Sequence, residues 1–424
     1  MNKIKVVWIC HFSNTEIREK LPLSKKGKNI SDFALWITNM IIEFKKFEDI
    51  ELHIISPHRG LKQYSYSFEK DGICYYFYKD DMPFFHRNWP SYFQINIWTN
   101  YFISKLIVRR IIKKINPDII NLHGAENPYY SSTALNLKGI PILITIQGIY
   151  SNPERNKYEN PNLLRCKIER EIHSQNKYFG VSAPYMPSLI KRDVENPILF
   201  WTDYPKKMQQ IINTNNNDKC YDFVFFGQLK LAKGIYDTLD ALALVKKYKP
   251  DVKLRMMGQD TQSRLNDLIE YSKKLGLENN VIISEGYKLH EDMINEASKA
   301  KNYILPTRFD TLPSSIFEAI YLGLPVVSYL SGEIPLLNKG DIRALLCEIG
   351  DIHSLANNMI LLLEKPETGK VLSQKANEFV DKWFNNRTLA LNFVDQYRSV
   401  LEHFHNEKPV PSTLLYENFM NEIN

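Results

Sequence analysis

The chain has 424 residues, of which 44% are hydrophobic and 24% are charged. This balance is typical of globular proteins and excludes a disordered or fibrous chain, and the length favours two α/β domains over one large core. The formal net charge of +6 suits an anionic ligand or an anionic membrane surface, but it does not indicate a nucleic-acid-binding protein.

The cysteines and the hydropathy of the chain indicate the cellular compartment in which the protein is expected. The five cysteines are odd in number and include no C-x-x-C pair, which indicates a reducing compartment without a disulfide framework or a structural zinc site. The apolar run at residues 3–10 is too short for a signal peptide, and no stretch approaches the roughly 20 apolar residues that span a bilayer. A cytoplasmic protein, soluble or peripheral at the inner face of the membrane, is expected.

Short apolar runs, each followed by a helical pattern, recur through the first half of the chain. They predict strands at residues 6–10, 52–56, 119–123, 142–147 and 178–181. Strands of this kind that alternate with amphipathic segments are typical of parallel sheets covered by helices on both faces. Residues 1–200 are therefore predicted to form a first Rossmann-like domain.

Ligands of such sheets bind at the carboxyl ends of the strands, so the residues that end strands are the candidates for function. His123 ends one predicted strand and precedes Gly124, although a structural histidine is the alternative. Gln147, followed by Gly148 and Tyr150, occupies the tip of the next strand.

Two further segments of the first half each allow alternative interpretations. Residues 104–116 predict a basic amphipathic helix, which either packs on its sheet with a solvated charged face or docks to an anionic bilayer. The aromatic-rich run at residues 84–98 packs in the core, lines an acceptor groove or anchors at an interface. On the predicted helix Lys105, Arg109 and Lys113 share one side, whereas the other side carries Ile103, Ile107, Ile111 and Ile115.

The second half repeats the strand–helix rhythm after a polar, turn-rich run at residues 213–218, so residues 201–220 are predicted as a linker. A second domain is expected over residues 221–385, with strands at 223–226, 253–257, 281–284, 303–305, 326–329 and 345–349. An amphipathic helix at about 386–405 is expected to pack back on the first domain, and residues 406–424 are expected to form a loosely held tail.

The run FFGQLKLAKG at residues 225–234 follows a strand and opens a helix. Gly227 lets the backbone turn and lets a ligand approach closely. Lys233 lies at the helix start, where backbone N–H groups and the helix dipole already favour a phosphate. An ordinary surface lysine is the alternative for this position.

A second run, RFDTLPSSIFEAIYLGLP at residues 308–325, places Asp310 in a loop and Glu318 on the next helix. The small and turn-forming residues between them have N–H groups that suit a diphosphate, although Ser314 or Ser315 is equally suited to cap the helix. Glu318 lies in an apolar sequence, where a carboxylate needs hydrogen-bond donors, and the vicinal hydroxyls of a ribose supply two.

These two runs together resemble the retaining family 4 glycosyltransferases of the GT-B fold. The similar features are the G-x6-G pattern with Lys233, an acidic residue followed after seven others by Glu318, and EAIYLGLPVV, which is similar to the family's E-A-M-A-x-G-x-P-V-V. The resemblance implies GT-B architecture, with two Rossmann-like doubly wound parallel-sheet domains facing across a cleft.

The resemblance also implies roles for individual residues. Lys233 would pair with the donor diphosphate, Glu318 would bind the ribose hydroxyls, and Asp310 would face the donor sugar. His123 would lie near the transferred sugar. Gly27 would lie near the diphosphate, and Gly258 and Tyr287 near the base. The remaining donor-binding positions implied by the resemblance are Gly227, Gln228 and the loop residues Thr311, Leu312 and Pro313.

Two positions depart from the family pattern. The family usually has Arg where this chain has Gln228, and Glu where it has Asp310. The loss of a guanidinium removes a fixed pair of donors for the leaving diphosphate, which Lys230 or Arg308 would have to replace.

The function implied is transfer of a sugar from a nucleotide-sugar donor, foremost a UDP-sugar, to a glycan or lipid-linked acceptor. The chain has no Asp-x-Asp, so neither a metal nor another cofactor is expected. A nucleotide-sugar epimerase and a non-catalytic sugar-nucleotide-binding protein remain alternatives. A dinucleotide oxidoreductase is disfavoured because no G-x-G-x-x-G follows a strand.

Overall fold

The computed structural model describes residues 3–28, 30, 32–80, 95–157, 160–206, 219–287 and 290–423. The chain divides into two compact units. Unit 1 comprises Met1–Pro205 and Asn386–Glu422, and unit 2 comprises Lys206–Asn385 with Ile423–Asn424. The polar run at 213–218 and most of the aromatic-rich run at 84–98 lie outside the described residues.

Unit 1 is built on an eight-stranded sheet with the order β3-β4-β2-β1-β5-β6-β7-β8. Neighbouring strands pair in parallel except β3 and β4, which form an antiparallel hairpin at one edge. The strands are β1 (Ile4–Ile9), β2 (Ile50–Pro57), β3 (Ser65–Lys70), β4 (Ile73–Tyr78), β5 (Ile119–His123), β6 (Ile142–Thr145), β7 (Tyr178–Val181) and β8 (Ile198–Trp201).

Eight helices of unit 1 connect or flank these strands. They are α1 (Thr15–Arg18), α2 (Lys25–Lys28), α3 (Leu35–Phe44), α4 (Ile95–Trp98), α5 (Phe102–Ile115), α6 (Pro128–Ser131), α7 (Leu163–Ser174) and α8 (Met186–Asp193). The side-chain oxygen of Asn162 accepts a hydrogen bond from the backbone N–H of Arg165 and so defines the start of α7.

The basic helix predicted at residues 104–116 is α5, but its buried face differs from the expected one. Ser104, Val108, Ile112 and Ile115 are buried, whereas Ile103, Ile107 and Ile111 are only partly so. The row of isoleucines at a spacing of four residues therefore predicted the wrong buried face. A second row with the same spacing, Ser104, Val108 and Ile112, lies one position further along the helix and is the buried one.

Unit 2 contains a six-stranded, fully parallel sheet with the order β11-β10-β9-β12-β13-β14. Its strands are β9 (Tyr221–Phe226), β10 (Leu254–Met257), β11 (Val281–Ser284), β12 (Ala300–Leu305), β13 (Val326–Tyr329) and β14 (Leu345–Cys347). Its helices are α9 (Ile235–Tyr248), α10 (Gln262–Lys274), α11 (His290–Ala297), α12 (Ser314–Tyr321), α13 (Ile352–Glu364) and α14 (Pro366–Trp383). The predicted fold class, two doubly wound α/β domains, is confirmed for each unit.

The chain then returns to unit 1 with α15 (Asn386–Asn406) and α16 (Tyr416–Glu422). In this unit the indole N–H of Trp8 donates to the hydroxyl of Tyr397 at 2.9 Å. The ring of Phe419 on α16 stacks on Trp201 at 3.7 Å. The expectation of a loosely held tail is therefore wrong for these residues, because an aromatic pair buries the last helix against β8.

Each sheet reverses its strand order at one point. In unit 1, β1 lies between β2 and β5, and in unit 2, β9 lies between β10 and β12. The loops that leave two such strands diverge to opposite faces and open a crevice at the carboxyl ends. Among the described helices, none combines the length and apolarity needed to cross a lipid bilayer.

Candidate functional site

The loop after β9 is shaped by glycines. Gly227 has φ of 153°, which favours glycine, and a Cβ atom at Gly258, just after β10, would lie 1.7 Å from the carbonyl oxygen of Gly227. The amide of Gly286 donates to the carbonyl of Gly258 at 3.1 Å. The two predicted glycines therefore meet at neighbouring strand ends: a side chain has no room at Gly258, whereas at Gly227 it is the backbone conformation that favours glycine.

Lys233 and Asp310 form an ion pair, with the ammonium nitrogen in contact with Oδ2 of the carboxylate. Lys233 ends the 3-10 turn before α9, and Asp310 lies in the loop between β12 and α12. The side chains are 20% and 17% exposed, so the pair lies near the surface within reach of a ligand. The structure thus brings together two residues that the sequence places 77 positions apart.

Backbone contacts hold these two loops together. The amide of Arg308 donates to the carbonyl of Ala232 at 2.7 Å, and the hydroxyl of Thr307 donates to the same oxygen at 3.1 Å. Gly234, which precedes α9, has φ of 70°, and a Cβ atom there would lie 1.9 Å from the carbonyl oxygen of Pro306. The carboxyl ends of β9 and β12 are therefore locked in register with each other.

Asp310 also organises its own loop. Its Oδ1 accepts a hydrogen bond from the amide of Thr311 at 2.9 Å. The carboxylate of Asp310 uses the Thr311 amide in this structure, and contact of Thr311 with the donor sugar nucleotide stays a prediction. Leu312 is buried, and Pro313 directly precedes the first turn of α12.

Glu318 is buried in the second turn of α12 and lies 3.1 Å from Nε2 of His290. Burial acts to lower the pKa of His290, but the hydrogen bond and charge of Glu318 outweigh it, so the net pKa is raised. The sequence analysis missed His290. It opens α11 after β11, so the rule that selected the other strand-end residues applies to it as well.

Tyr303 lies near both acidic positions. Its hydroxyl donates to the carbonyl oxygen of Phe226 at 3.1 Å, and burial, with the charges of Glu318 and Asp310, raises the pKa of Tyr303. Lys233, Asp310 and Glu318 therefore surround the carboxyl ends of β9 and β12, and we call this cluster the unit 2 site.

The positions that depart from the family pattern lie around this cluster. Gln228 and Lys230 are exposed, whereas Arg308 is held by Asp237 through two hydrogen bonds of 2.7 and 2.9 Å. Arg308 therefore joins its loop to α9 in this structure. Lys230 is the candidate that remains to replace the absent guanidinium.

Tyr287 follows β11 and is partly exposed. Its hydroxyl lies 3.4 Å from Nη2 of Arg255, which is itself held by the hydroxyl of Ser284 at 2.8 Å. A role for this ring in stacking on a base stays a prediction.

In unit 1, His123 is completely buried at the end of β5. Its Nδ1 lies 3.0 Å from the hydroxyl of Tyr204, and its ring packs edge-on against Trp8 at 4.9 Å. Burial lowers the pKa of His123 to about 3, so the imidazole is neutral at physiological pH. Contact with a sugar stays a prediction.

Gly27 has a packing role in the structure. A Cβ atom there would lie 2.7 Å from the Cα atom of Gly60, and the amide of Ser24 donates to the carbonyl of Gly60 at 2.9 Å. Helix α2 therefore lies directly on the turn after β2. The predicted proximity of Gly27 to a diphosphate remains to be tested.

Known proteins resemble both halves of the chain. The family described as glycosyl transferases group 1 matches residues 207–379, and the family described as glycosyl transferase 4-like matches residues 37–176. N-acetyl-alpha-D-glucosaminyl L-malate synthase of Bacillus anthracis is 23% identical over 346 residues, which cover 77% of this chain and 86% of that protein.

Solved structures show the same architecture at low identity. Sucrose-phosphate synthase of Thermosynechococcus elongatus has a TM-score of 0.71 and 14% identity, covering 93% of this chain and 98% of that one. HepE of Anabaena, solved with UDP and glucose, has a TM-score of 0.65 and 14% identity, covering 93% of this chain and 100% of that one. The chain therefore belongs to the family 4-like glycosyltransferases of GT-B architecture.

Proposed function

We propose that this glycosyltransferase moves a hexose from a nucleotide-sugar donor, foremost a UDP-sugar, to a glycan or lipid-linked acceptor with retention of anomeric configuration. The unit 2 site is the observation that supports binding of a nucleotide-sugar donor, because one cation and two carboxylates lie there at the ends of β9 and β12. Assembly of a bacterial surface polysaccharide is the pathway we propose. The complex of HepE with UDP-glucose supports the choice of donor.

In this proposal the binding of the donor breaks the ion pair between Lys233 and Asp310. The diphosphate takes Lys233 from Asp310, because a diphosphate carries more negative charge than one carboxylate. Asp310 is then available to hydrogen-bond hydroxyls of the donor sugar. The first turn of α12 adds backbone N–H groups and a favourable dipole close to the same loop.

Glu318 suits the ribose of the donor. A buried carboxylate needs donors, and His290 offers one on its Oε1 side. Two vicinal ribose hydroxyls would satisfy the rest of the group. Binding of the ribose fixes the nucleotide and thereby orients the diphosphate toward Lys233, which raises the rate of the transfer step by positioning.

Positive charge develops at the anomeric carbon as the nucleoside diphosphate departs, so stabilisation of the leaving group carries most of the catalysis. We propose that Lys233 and backbone amides supply it without a divalent metal. No covalent nucleophile is assigned, and a displacement on the same face of the sugar is the working mechanism.

Two substitutions test this assignment. Lys233→Ala removes the charge on the leaving group and Glu318→Ala removes the ribose contact, so each should lower UDP release from the best of a panel of UDP-sugars by about 100-fold or more. Thermal unfolding should show that both variants fold. Lys247→Ala, an exposed lysine at the far end of α9, is the matched control and should keep full activity.

Near-normal turnover by both variants would remove the site assignment. The same assay with EDTA tests the metal: activity lost in EDTA and restored by magnesium would contradict a metal-independent mechanism. Consumption of the donor with inversion of one sugar centre, without UDP release, would show an epimerase instead.

We also propose that unit 1 contacts an anionic membrane surface through an apolar–basic surface formed by Trp98, Phe102, Leu106, Arg110 and Lys113. Trp98 is 75% and Phe102 58% exposed. The last four residues follow one face of α5, which has five basic residues and no acidic one. Aromatic and aliphatic side chains beside lysine and arginine are typical of helices that lie in the interface of an anionic bilayer.

A further inference from the structure

A second polar cluster lies at the carboxyl end of β5. Gly124, the residue after His123, has φ of 88°, and a Cβ atom there would lie 2.6 Å from Oε2 of Glu126 and 2.8 Å from the hydroxyl of Tyr130. The glycine therefore leaves room for a carboxyl group directly at the strand end. Since β1 and β5 flank the point where the order of the sheet reverses, this is the edge at which such sheets bind ligands.

Glu126 has one carboxylate oxygen that the protein does not satisfy. Oε1 accepts a hydrogen bond from Asn127 at 3.1 Å, but Oε2 is enclosed and accepts none from the described residues. Arg165 lies close by, yet its Nη2 donates to the backbone carbonyl of Glu126 at 3.0 Å. An enclosed carboxylate oxygen without a donor is costly, and it calls for a donor from outside the protein.

The charges around Glu126 do not compensate for its burial. The pKa of Glu126 is raised to about 7, chiefly by burial and then by the charge of Glu169, against the lowering effects of its own backbone amide, Arg165 and Asn127. Both oxygens of Glu169 already accept backbone amides, from Tyr150 and Ser151, at 2.7 Å. The titratable and charged groups that face Glu126 are Glu169 and Arg165 on α7, Tyr130 on α6 and Tyr204 after β8.

His123 supplies a complementary donor at the same strand end. The hydroxyl of Tyr204 accepts from Gln147 at 3.4 Å and lies 3.0 Å from Nδ1 of His123. Nδ1 of His123 accepts the hydrogen of the buried Tyr204 hydroxyl. The ring hydrogen of the neutral imidazole is therefore on Nε2. Nε2 is enclosed and has no partner among the described residues.

The strand end therefore presents an unpaired N–H and an unpaired carboxylate oxygen. A hydroxyl group suits such a carboxylate oxygen, since its hydrogen is donated to Oε2 while its own oxygen can accept a hydrogen bond from another donor. We propose that Glu126 binds a hydroxyl group of the acceptor, with Oε2 accepting its hydrogen bond. This inference rests on the proposed sugar transfer, and it names the acceptor contact.

The variant Glu126→Gln tests the inference, because it keeps the shape of the side chain and removes its charge. The probe is the UDP-sugar that the wild-type protein turns over fastest among UDP-glucose, UDP-galactose and UDP-N-acetylglucosamine, with water as the smallest hydroxyl acceptor. UDP release at pH 8 should fall about tenfold or more, the loss expected for one hydrogen bond to a charged group. Stabilisation of the protein by UDP alone should stay unchanged.

The pH dependence gives a second readout. The ionised carboxylate is a much stronger acceptor of the hydroxyl hydrogen than the protonated group, so wild-type UDP release should rise with pH through about 7. The variant should lack this rise. A pH profile that is the same in both proteins would overturn the role of Glu126.

Stability separates a functional from a structural role. The folded pKa of Glu126, about 7, lies above its unfolded value, so the protonated form stabilises the fold, and this contribution is lost as pH rises through 7. Glu126→Gln should therefore raise Tm at pH 8 by about 2 °C and leave it unchanged at pH 5. Glu169→Gln, the matched control, should lower Tm at both values, because that carboxylate accepts two backbone amides.

A Glu126→Gln protein that is less stable than the wild type at pH 8 would show a structural carboxylate and overturn the inference. So would wild-type UDP release by the variant. Failure of the proposed function is recognised separately: the wild-type protein itself would then release no UDP from any of the three donors, and the inference would fall with it.

Discussion

Gly234 shows how tightly the two loops of the unit 2 site are packed. It has the same left-handed backbone conformation as Gly276, with φ of 70° against 68°. The two positions differ in their surroundings: a Cβ atom at Gly234 would meet the carbonyl of Pro306, whereas nothing lies within 4 Å at Gly276. The pair therefore separates the effect of backbone conformation from the effect of crowding.

Alanine at these two positions should have different consequences. Gly276→Ala should cost about 1 kcal/mol, the strain of a left-handed alanine, and should leave UDP release unchanged. Gly234→Ala should cost about 1–3 kcal/mol more through overlap, and should lower UDP release because the loops of Lys233 and Asp310 move apart. Thermal unfolding and the UDP-release assay measure both effects, and equal losses of stability would contradict the packing argument.

The sequence predicted that Lys233 and Asp310 both face the donor, because both lie just after strands that end at the same edge of a parallel sheet, but it did not predict their ion pair. Glu126 and His290 obey the same rule, yet neither was singled out. No motif surrounds either residue. Glu126 stands out because one of its carboxylate oxygens has no hydrogen-bond partner among the described residues, and His290 because it lies beside the carboxylate of Glu318; both facts are visible only in the fold. The full burial of His123 was likewise hidden from the sequence.

At the scale of elements, four strands have the bounds that the sequence predicts, namely β5, β7, β11 and β13. Their apolar runs are bounded by turn residues on both sides. The hairpin of β3 and β4 was missed, although Asp71–Gly72 is a typical two-residue hairpin turn, with φ of 52° and 74°. Polar and aromatic residues alternate through β3, which is typical of a strand with one exposed face and differs from the continuous apolar runs that predicted the buried strands.

The C-terminal helix α16 provides a test at this scale. Phe419 is buried and stacks on Trp201, whereas Phe404, on the neighbouring α15, is 41% exposed. Phe419→Ala should lower the stability of unit 1 by about 3 kcal/mol or more, because a buried ring is lost and its contacts are not replaced. Phe404→Ala should change stability by less than about 0.5 kcal/mol. Similar Tm values for the two variants would show that α16 is only loosely held.

At the scale of the whole molecule, the proposed contact of the apolar–basic surface with an anionic membrane is tested with lipid vesicles. Vesicles of phosphatidylcholine with phosphatidylglycerol should retain the protein in co-sedimentation, and vesicles of phosphatidylcholine alone should not. Binding should weaken in high salt, because the attraction between lysine, arginine and lipid phosphate is screened.

Charge reversal identifies the surface. Arg110→Glu with Lys113→Glu should abolish retention on anionic vesicles, and Trp98→Ser with Phe102→Ser should weaken it by loss of apolar burial. Lys273→Glu with Lys274→Glu on α10 changes the net charge equally and serves as the control. Equal loss of binding in the control would mean that overall charge, and not this surface, attracts the protein.

The return of α15 and α16 to unit 1 has a consequence for biosynthesis. Unit 2 is an almost continuous stretch of chain, whereas unit 1 joins its first and last segments, as the bond between Trp8 and Tyr397 shows. On the ribosome, the sheet of unit 1 is made first but waits for α15 and α16, which are synthesised only after the whole of unit 2. A nascent chain stalled before Asn386 thus has every strand of both sheets and still exposes the apolar faces of unit 1 to chaperones.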